Sequence, residues 1–551
     1  MSSNKSCRKC NDKYVVTDQE INFLKKLDLP EPTICPVCRA RKRWSLRNQS
    51  NLYKRKCDFT GKEMVSLYAS DSPHKVFAED VWWSDKWDPL DYGKDFDFDR
   101  PFFEQLRELQ LDVPRRGMHQ DGTNENCEYI TFGMGNKNCY LAFACFNCEN
   151  TFFSFFSLMS RESVDCLLAI NSELVYECIH CQSCYRSSYL KNCTNCTDCY
   201  LMEDCSNCQN CIACKNVTGK QYYIYNKQAS KVEFEDFKKQ LDNGLLVDEY
   251  EKFNKWKLTI PNRFAHIIAS ENCDGDYIYN GKNCHNCFGI LIQGAEDSAN
   301  CQMSGAQAKE MFDCSMAGQG SELIYEMQAT SGAYHSAFVN FCRFSKFVYY
   351  CDCISNCEEC FGCTGLSNKK YCILNKQYSK DEYLLLKDKI VKHMKETKEW
   401  GENFPLKNSP FPYNDTLAQN YYPLTKDLAK KQGLSWKEPK ETKIIKQTMI
   451  VDQNIEKVGK EILDAILVCK DCGKNYKILP QEYRLYKMMK ISIPKSCPSC
   501  RYNNRINQFK IGKLYDRSCM NKGCSNKFKT AISADQPETV YCEKCYQKEI
   551  L

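Results

Sequence analysis

Cys205-Ser-Asn-Cys208-Gln-Asn-Cys211-Ile-Ala-Cys214 sets four cysteines three residues apart. Around this stretch, residues 126–372 hold 27 cysteines, and nine pairs of them lie 12 apart, among them Cys181/Cys193, Cys196/Cys208 and Cys351/Cys363. Seventeen of the 27 directly follow Asn or Asp, as in Asn192-Cys193, Asp198-Cys199 and Asn356-Cys357. Asn and Asp tolerate left-handed backbone and bond to nearby amides, so a fixed Asx-Cys step reads as a recurring turn. A recurring turn with a small inward residue is what a narrow β-solenoid requires, each coil stacking on the last. Cysteine serves there as a compact buried hydrophobe, with Tyr140, Phe143, Phe152 and Tyr189 on the faces or over adjacent coils. Two alternatives stay open. Three-residue steps also resemble Fe–S or multi-zinc loops, and the thiols could form reversible disulfides. Against clusters, the Asx-Cys step continues through isolated thiols (Cys273, Cys301, Cys314).

This middle is duplicated. Cys208-x2-Cys211-x2-Cys214 leads to Tyr222, Asn226-Lys-Gln and Ser230-Lys231; Cys357-x2-Cys360-x2-Cys363 leads to Tyr371, Asn375-Lys-Gln and Ser379-Lys380, at a constant offset of 149. Each copy ends in Ser-Lys-x-Glu followed by acidic and apolar residues, which predicts capping helices over about 232–256 and 380–398.

The two ends of the chain also repeat each other. Cys7-x2-Cys10 is followed after 24 residues by Cys35-x2-Cys38, and Cys469-x2-Cys472, again after 24, by Cys497-x2-Cys500. Paired knuckles place four thiolates around one tetrahedral Zn²⁺, whose bonds replace a core the segment is too small to build. A redox C-x-x-C would instead appear as one pair near a βαβ unit. Cys519, Cys524, Cys542 and Cys545 form a further four-thiolate set. Its spacing, carried back to the N-terminal half with a two-residue deletion in the first loop, lands on Cys57, Thr60, Ala78 and Val81. Three ligands are missing there, so this second ribbon reads as a metal-free relic packed by Trp82, Trp83 and Trp87, with Cys57 a leftover.

Arg39–Lys56 contains eight Lys/Arg and no acid. Arg39, Arg41, Lys42, Arg43, Trp44, Arg47, Lys54 and Arg55, with Tyr53 interleaved, and Arg501, Arg505, Lys510 and Lys513, with Tyr502, Phe509 and Tyr515, form the candidate nucleic-acid-binding set. Clustered cations with stacking platforms suit RNA or single-stranded DNA. A solvated charged face beside a zinc site is the plain alternative.

The first ribbon, with Thr17-Asp-Gln-Glu20 inside it and Cys35-Pro-Val-Cys-Arg39 at its end, resembles the family called the probable zinc-ribbon domain. Together with Val81-Trp-Trp-Ser-Asp-Lys-Trp-Asp-Pro89, the Asp/Phe-rich run from Tyr92 to Glu104 and the two Asn-Lys-Gln repeats, the chain is similar to a family of long, cysteine-rich bacterial proteins. The resemblance spans nearly the whole chain. It implies the architecture and brings no activity or substrate.

Composition bounds the remaining classes. The chain has 551 residues, 40 cysteines, seven histidines and a net charge of +6. That length excludes the small disulfide scaffold. A mean hydropathy of −0.58 excludes membrane spanning, as does a typical apolar stretch, Phe152–Met159 with two serines inside it, far below the roughly 18 residues required. The N-terminus lacks an apolar signal segment, so a reduced, cytoplasmic protein is expected. No phosphate-cradling glycine loop, nucleophile elbow or H-E-x-x-H occurs. Asp95-x-Asp97-x-Asp99 lacks the Gly and distal Glu of a calcium loop, Cys178-Ile-His180 sits in the repeat register, and His119, His266 and His335 have no evident partner. No catalytic residue is assigned, and a non-enzymatic protein is favoured.

The expected fold is mainly β: a duplicated Cys-rich parallel β-solenoid or β-helix with capping helices, flanked by N- and C-terminal zinc ribbons. The domains are a zinc ribbon (1–50), a degenerate ribbon with a Trp/Asp-rich segment (51–120), lobe 1 (121–260), lobe 2 (261–400), a linker with a short helix (401–460) and tandem ribbons (461–551). The leading function is a zinc protein holding about three ions that binds nucleic acid or a ribonucleoprotein through its ribbons, with the lobes as a rigid spacer. The rivals are a structural or protein-docking scaffold that self-associates, and a metal or redox store.

Overall fold

The computed structural model describes residues 2–438 and 443–550; residues 439–442 of the expected linker lie outside the described residues. The protein is rich in parallel strand pairs, gathered into one ten-stranded and two eight-stranded sheets, with helices at the edges. Among the described residues, no helix is long and apolar enough to cross a membrane.

In the first lobe the chain pairs with itself in a twelve-residue register: Glu173 lies between Arg161 and Tyr185, and Tyr200 between Ser188 and Ile212. The reason is visible in the backbone. From Asn192 to Ala213 every third residue is left-handed, with φ between 51° and 59°. Of the Asx residues that precede a cysteine here, every one but Asp352 takes this conformation. There the corners keep their step of three, Tyr350, Cys353 and Asn356, so Cys353 itself holds the corner and Asp352 lies one residue before it. A left-handed corner costs a non-glycine residue roughly 1–2 kcal/mol. Stacking offsets this, because each corner N–H donates to a carbonyl of the preceding turn, as from Asn195 to Gln182 (2.9 Å) and Asn207 to Thr194 (2.9 Å). The Asx side chains add ladders along the outside, for instance Asn195 Nδ2 to Asn207 Oδ1 at 3.0 Å.

The residue after each corner points inward. Cys193, Cys196, Cys199, Cys208, Cys211 and Cys214 are fully buried. Their thiols donate to the carbonyls that line the interior: Cys205 Sγ lies 3.2 Å from the Glu203 oxygen and 3.5 Å from that of Cys214. Serine fills the same positions in the same way, Ser160 Oγ donating to the Leu158 and Ala169 oxygens at 3.2 and 3.0 Å. A small side chain with one donor is what the interior accepts, and cysteine meets that need with the more apolar surface.

The second lobe departs from the twelve-residue step. Phe288 pairs with Gln302, and Gln302 with Ser315. Runs of adjacent left-handed residues, Ile292-Gln293-Gly294 and Ala306-Gln307, accommodate the extra length as bulged corners.

Each lobe is followed by a helical segment opened by a capping box, Ser230 with Glu233 and Ser379 with Glu382. The second is one helix, Lys380–Glu396. The first is broken into Lys231–Gln240 and Leu246–Trp256 by Gly244 (φ 107°), where a Cβ would come within 2.8 Å of the Gln453 backbone. The stretch expected as a linker is packed rather than free: Tyr413 and Leu417 are buried, and the Leu417 N–H donates to the Arg47 carbonyl.

The lobes face each other along one column of corner residues apiece, running in opposite directions. Phe132, near the start of lobe 1, stacks on Phe341 near the end of lobe 2 at 5.0 Å. Tyr277, near the start of lobe 2, meets His180 of lobe 1 at 4.7 Å.

Candidate metal centres

Four ribbons share one local design. In each, a β-hairpin ends in a cysteine whose N–H donates across a tight knuckle: Cys7 to Asp12, Cys57 to Lys62, Cys469 to Lys474 and Cys519 to Asn526, at 2.8–2.9 Å. A left-handed residue closes each knuckle, namely Asn11, Gly61, Gly473 and Gly523. The remaining ligand pair arrives at the start of a helix, Pro36–Trp44, Pro498–Gln508 or Glu543–Ile550.

Three of the four bring four thiols together. Cys7, Cys10, Cys35 and Cys38 form one group, Cys469, Cys472, Cys497 and Cys500 the second, and Cys519, Cys524, Cys542 and Cys545 the third; within each, all sulfurs lie within 4.8 Å of one another. The closest cross-knuckle pairs are 3.7 Å (Cys10–Cys35), 3.8 Å (Cys472–Cys497) and 3.9 Å (Cys524–Cys542). A tetrahedral ion with metal–sulfur bonds near 2.3 Å needs sulfurs about 3.8 Å apart, so each group could hold a metal ion. Backbone N–H groups also point at these sulfurs, from Cys35 to Cys7 (3.3 Å), Cys497 to Cys469 (3.1 Å) and Cys542 to Cys519 (3.3 Å). Burial pushes the Cys469 thiol up, yet N–H donors from Cys497, Cys472 and Asp471 outweigh it and bring it down to about 7. Among the described residues no set of inward lobe cysteines makes a comparable group.

The second ribbon keeps the frame without the ligands. The Ala78 N–H donates to Cys57 Sγ at 3.3 Å, the bond made at the corresponding cysteine of each complete ribbon. Trp82 and Trp87 pack together at 4.8 Å, and Trp87 meets Phe77 edge-on at 5.5 Å. Trp83 does not join them: it is 51% exposed and lies under the Arg116 guanidinium.

The basic residues turn inward, which corrects the nucleic-acid set. Arg39, Arg43, Arg501 and Arg505 are 0–4% exposed. Arg39 pairs with Glu20 of its own ribbon and Asp313 of lobe 2, each at 2.8 Å, and Arg43 reaches Asp313 at 3.4 Å. Arg501 pairs with Asp165 of lobe 1 (2.9 Å) and Glu482 of its own ribbon (3.5 Å), while Arg505 takes Asp165 (2.9 Å) and Glu177 (3.0 Å). The N-terminal ribbon is thus clamped to the second lobe, and the C-terminal one to the first. Trp44 is buried with its indole N–H donated to Gln302. Arg55 is buried against Asp58 (2.7 Å), Lys42 donates to the Asn403 carbonyl (2.8 Å), and Arg41 is half-buried. Arg47 is buried too; burial, with no carboxylate beside it, pushes its guanidinium down to about 9. Of the twelve residues only Lys54, Lys510 and Lys513 remain exposed.

The other candidates resolve simply. Cys178 points inward while His180 holds an outward corner, so they cannot act together. Asp95, Asp97 and Asp99 are exposed, Asp97 accepting from the Asp99 N–H at 2.9 Å. The site sequence reading missed is His266, held by Asp204 (2.9 Å) and Asp276 (3.1 Å). Asp204 comes from the other lobe, so only the tertiary fold assembles it.

No protein-family model matches the chain, and no curated protein matches it. Among solved structures it is similar to a crystal structure described as "putative acetyltransferase from Desulfovibrio desulfuricans G20", at 9% identity over 44% of this chain and 63% of that one. The TM-score is 0.10, which carries no argument about fold or activity.

Proposed function

We propose that this protein is a non-enzymatic, zinc-stapled binding scaffold: two β-solenoid lobes locked face to face by zinc ribbons from the opposite ends of the chain. The observation that carries this reading is the use of Arg39, Arg43, Arg501 and Arg505 inside the molecule, on Asp313 and Asp165. All-thiolate tetrahedral donor sets at these spacings favour Zn²⁺ among the common ions. Twelve ligand thiols must stay reduced to hold metal, which supports a cytoplasmic setting. In this reading the ribbons serve the chain's own lobes.

The test is purification of the full chain at low salt, with metal analysis and small-angle scattering before and after a strong chelator. About three zinc ions per chain, no co-purifying nucleic acid and expansion on chelation support the scaffold. Stoichiometric nucleic acid, lost when Lys54, Lys510 and Lys513 are replaced by Ala, would instead restore the nucleic-acid reading through the lysines that stay exposed.

A further inference from the structure

The two ends of the inter-lobe face are related by the duplication, yet one is filled and the other open. At the closed end His266 stacks on Tyr277 at 4.6 Å, bonds Asp204 and Asp276, and has Phe509 against Tyr277 at 4.8 Å. At the open end His119 stacks on Phe132 at 5.1 Å. There Arg47 takes the place of Phe509, with its guanidinium carbon 3.7 Å from the centre of the Phe132 ring. Cys353 takes the place of Asp204 in the lobe repeat, so one of the two carboxylates that hold His266 is replaced by a thiol at this end.

This substitution leaves unanswered positive charge around a cavity of about 450 Å³. Arg47 is 1% exposed, bonds Gln49 through Nε alone, and has no ion pair among the described residues. Arg116 uses Nε on Glu79 at 2.7 Å and leaves Nη2 buried without a partner, as is His119 Nε2. One carboxylate lines the cavity, Asp121, and it faces Arg343 at 3.6 Å. Apolar side chains make up much of the remaining wall, Phe146, Phe156, Leu158, Met303 and Met316 among them, with small polar residues such as Ser304, Thr330 and Ser355 between them. A buried cation without a counter-ion is costly unless something supplies the charge. The volume lies in the range of small-molecule sites, where an apolar wall with a few convergent polar groups fixes a ligand.

We propose that the inter-lobe cavity binds a small organic carboxylate with an apolar body, its charge on Arg47 beside Arg116 and His119 and its body against Phe132, Phe156 and the two methionines. The bulged corners of lobe 2 widen the gap that this ligand enters, since Ile292 and Ala306 both line it.

The test is calorimetric titration of the full, metal-loaded chain with 2-naphthoate, indole-3-carboxylate and decanoate, alongside 2-naphthalenemethanol and decanol as uncharged matches. At least one carboxylate is expected to bind roughly tenfold or more tightly than its alcohol, the range of a charge-assisted bond. Arg47→Met should erase that preference. Ala329→Phe should abolish binding of both forms without unfolding the lobe, because Ala329 sits one turn before Phe341 on the same left-handed corner. If Arg47→Met does not fold, Ala329→Phe decides alone. Failure of all three carboxylates to bind, equal affinity for acid and alcohol, or undiminished binding by Ala329→Phe would each overturn the proposal.

Discussion

Asp165 and Asp313 occupy the same left-handed corner of the two lobes, each fully buried and each gripped by two arginines of one ribbon. A buried ion pair gives little net stability, but removing one partner strands the other in a low-dielectric interior, at a cost of about 3–5 kcal/mol. Asp165→Asn and Asp313→Asn should each lower stability by that amount, read by thermal or denaturant unfolding of the metal-loaded chain. Asp95→Asn, on an exposed loop, should change it by less than about 0.5 kcal/mol.

The second ribbon retains the hairpin, the knuckle glycine and the N–H aimed at Cys57 Sγ. Restoring its ligands therefore needs side chains rather than a new backbone. The triple variant Thr60→Cys, Ala78→Cys, Val81→Cys should raise bound zinc from about three to about four ions per chain, measured by elemental analysis. A value that stays at three would mean the frame has drifted from ligand geometry.

His266 makes stability depend on alkaline pH. Burial disfavours its charge, but Asp204 and Asp276 outweigh that and raise its pKa to about 9, against about 6.5 unfolded. A raised pKa means the native state holds the proton more tightly, so this contribution is complete below about pH 6.5 and is lost as pH rises through 9. Unfolding should show falling stability between pH 7 and 10. His266→Gln, which strands both carboxylates, should cost about 3 kcal/mol at pH 7 and flatten that slope.

If the lobe cysteines serve only as small interior side chains, serine should replace them one at a time. Cys208→Ser puts a hydroxyl in the column where Ser172 and Ser160, three and four turns earlier, already bond the inward carbonyls. A cost of about 1–2 kcal/mol is expected for the extra polarity, with metal content unchanged. Loss of metal on this substitution would revive the metal-store reading.

Much of this was legible from the chain alone, for local reasons. The Asx-Cys step encodes a left-handed corner and an inward side chain within two residues, so the period announces itself. The metal groups were equally readable because knuckle spacing is set by short-range geometry, and Ala78 fell on its ligand position by spacing alone. What misled was the basic run Arg39–Lys56. Charge in sequence says nothing of burial: Glu20 pairs with Arg39 from nearby, but the acids that join Arg39 and Arg43 to the second lobe, Asp313 and Glu326, lie some 270 residues away. His266 and the open cavity were hidden for the same reason, since both arise where two lobes meet.

If the ribbons lock the lobes through these buried pairs, Arg501 and Asp165 must depend on each other, and a double-mutant cycle measures that dependence. Arg501→Met, Asp165→Asn and their combination should be compared by unfolding of the metal-loaded chain. Strong coupling is expected, with the double variant at least about 1.5 kcal/mol more stable than the sum of the single losses implies. Strictly additive losses would contradict it, because the arginine and the aspartate would then not depend on each other.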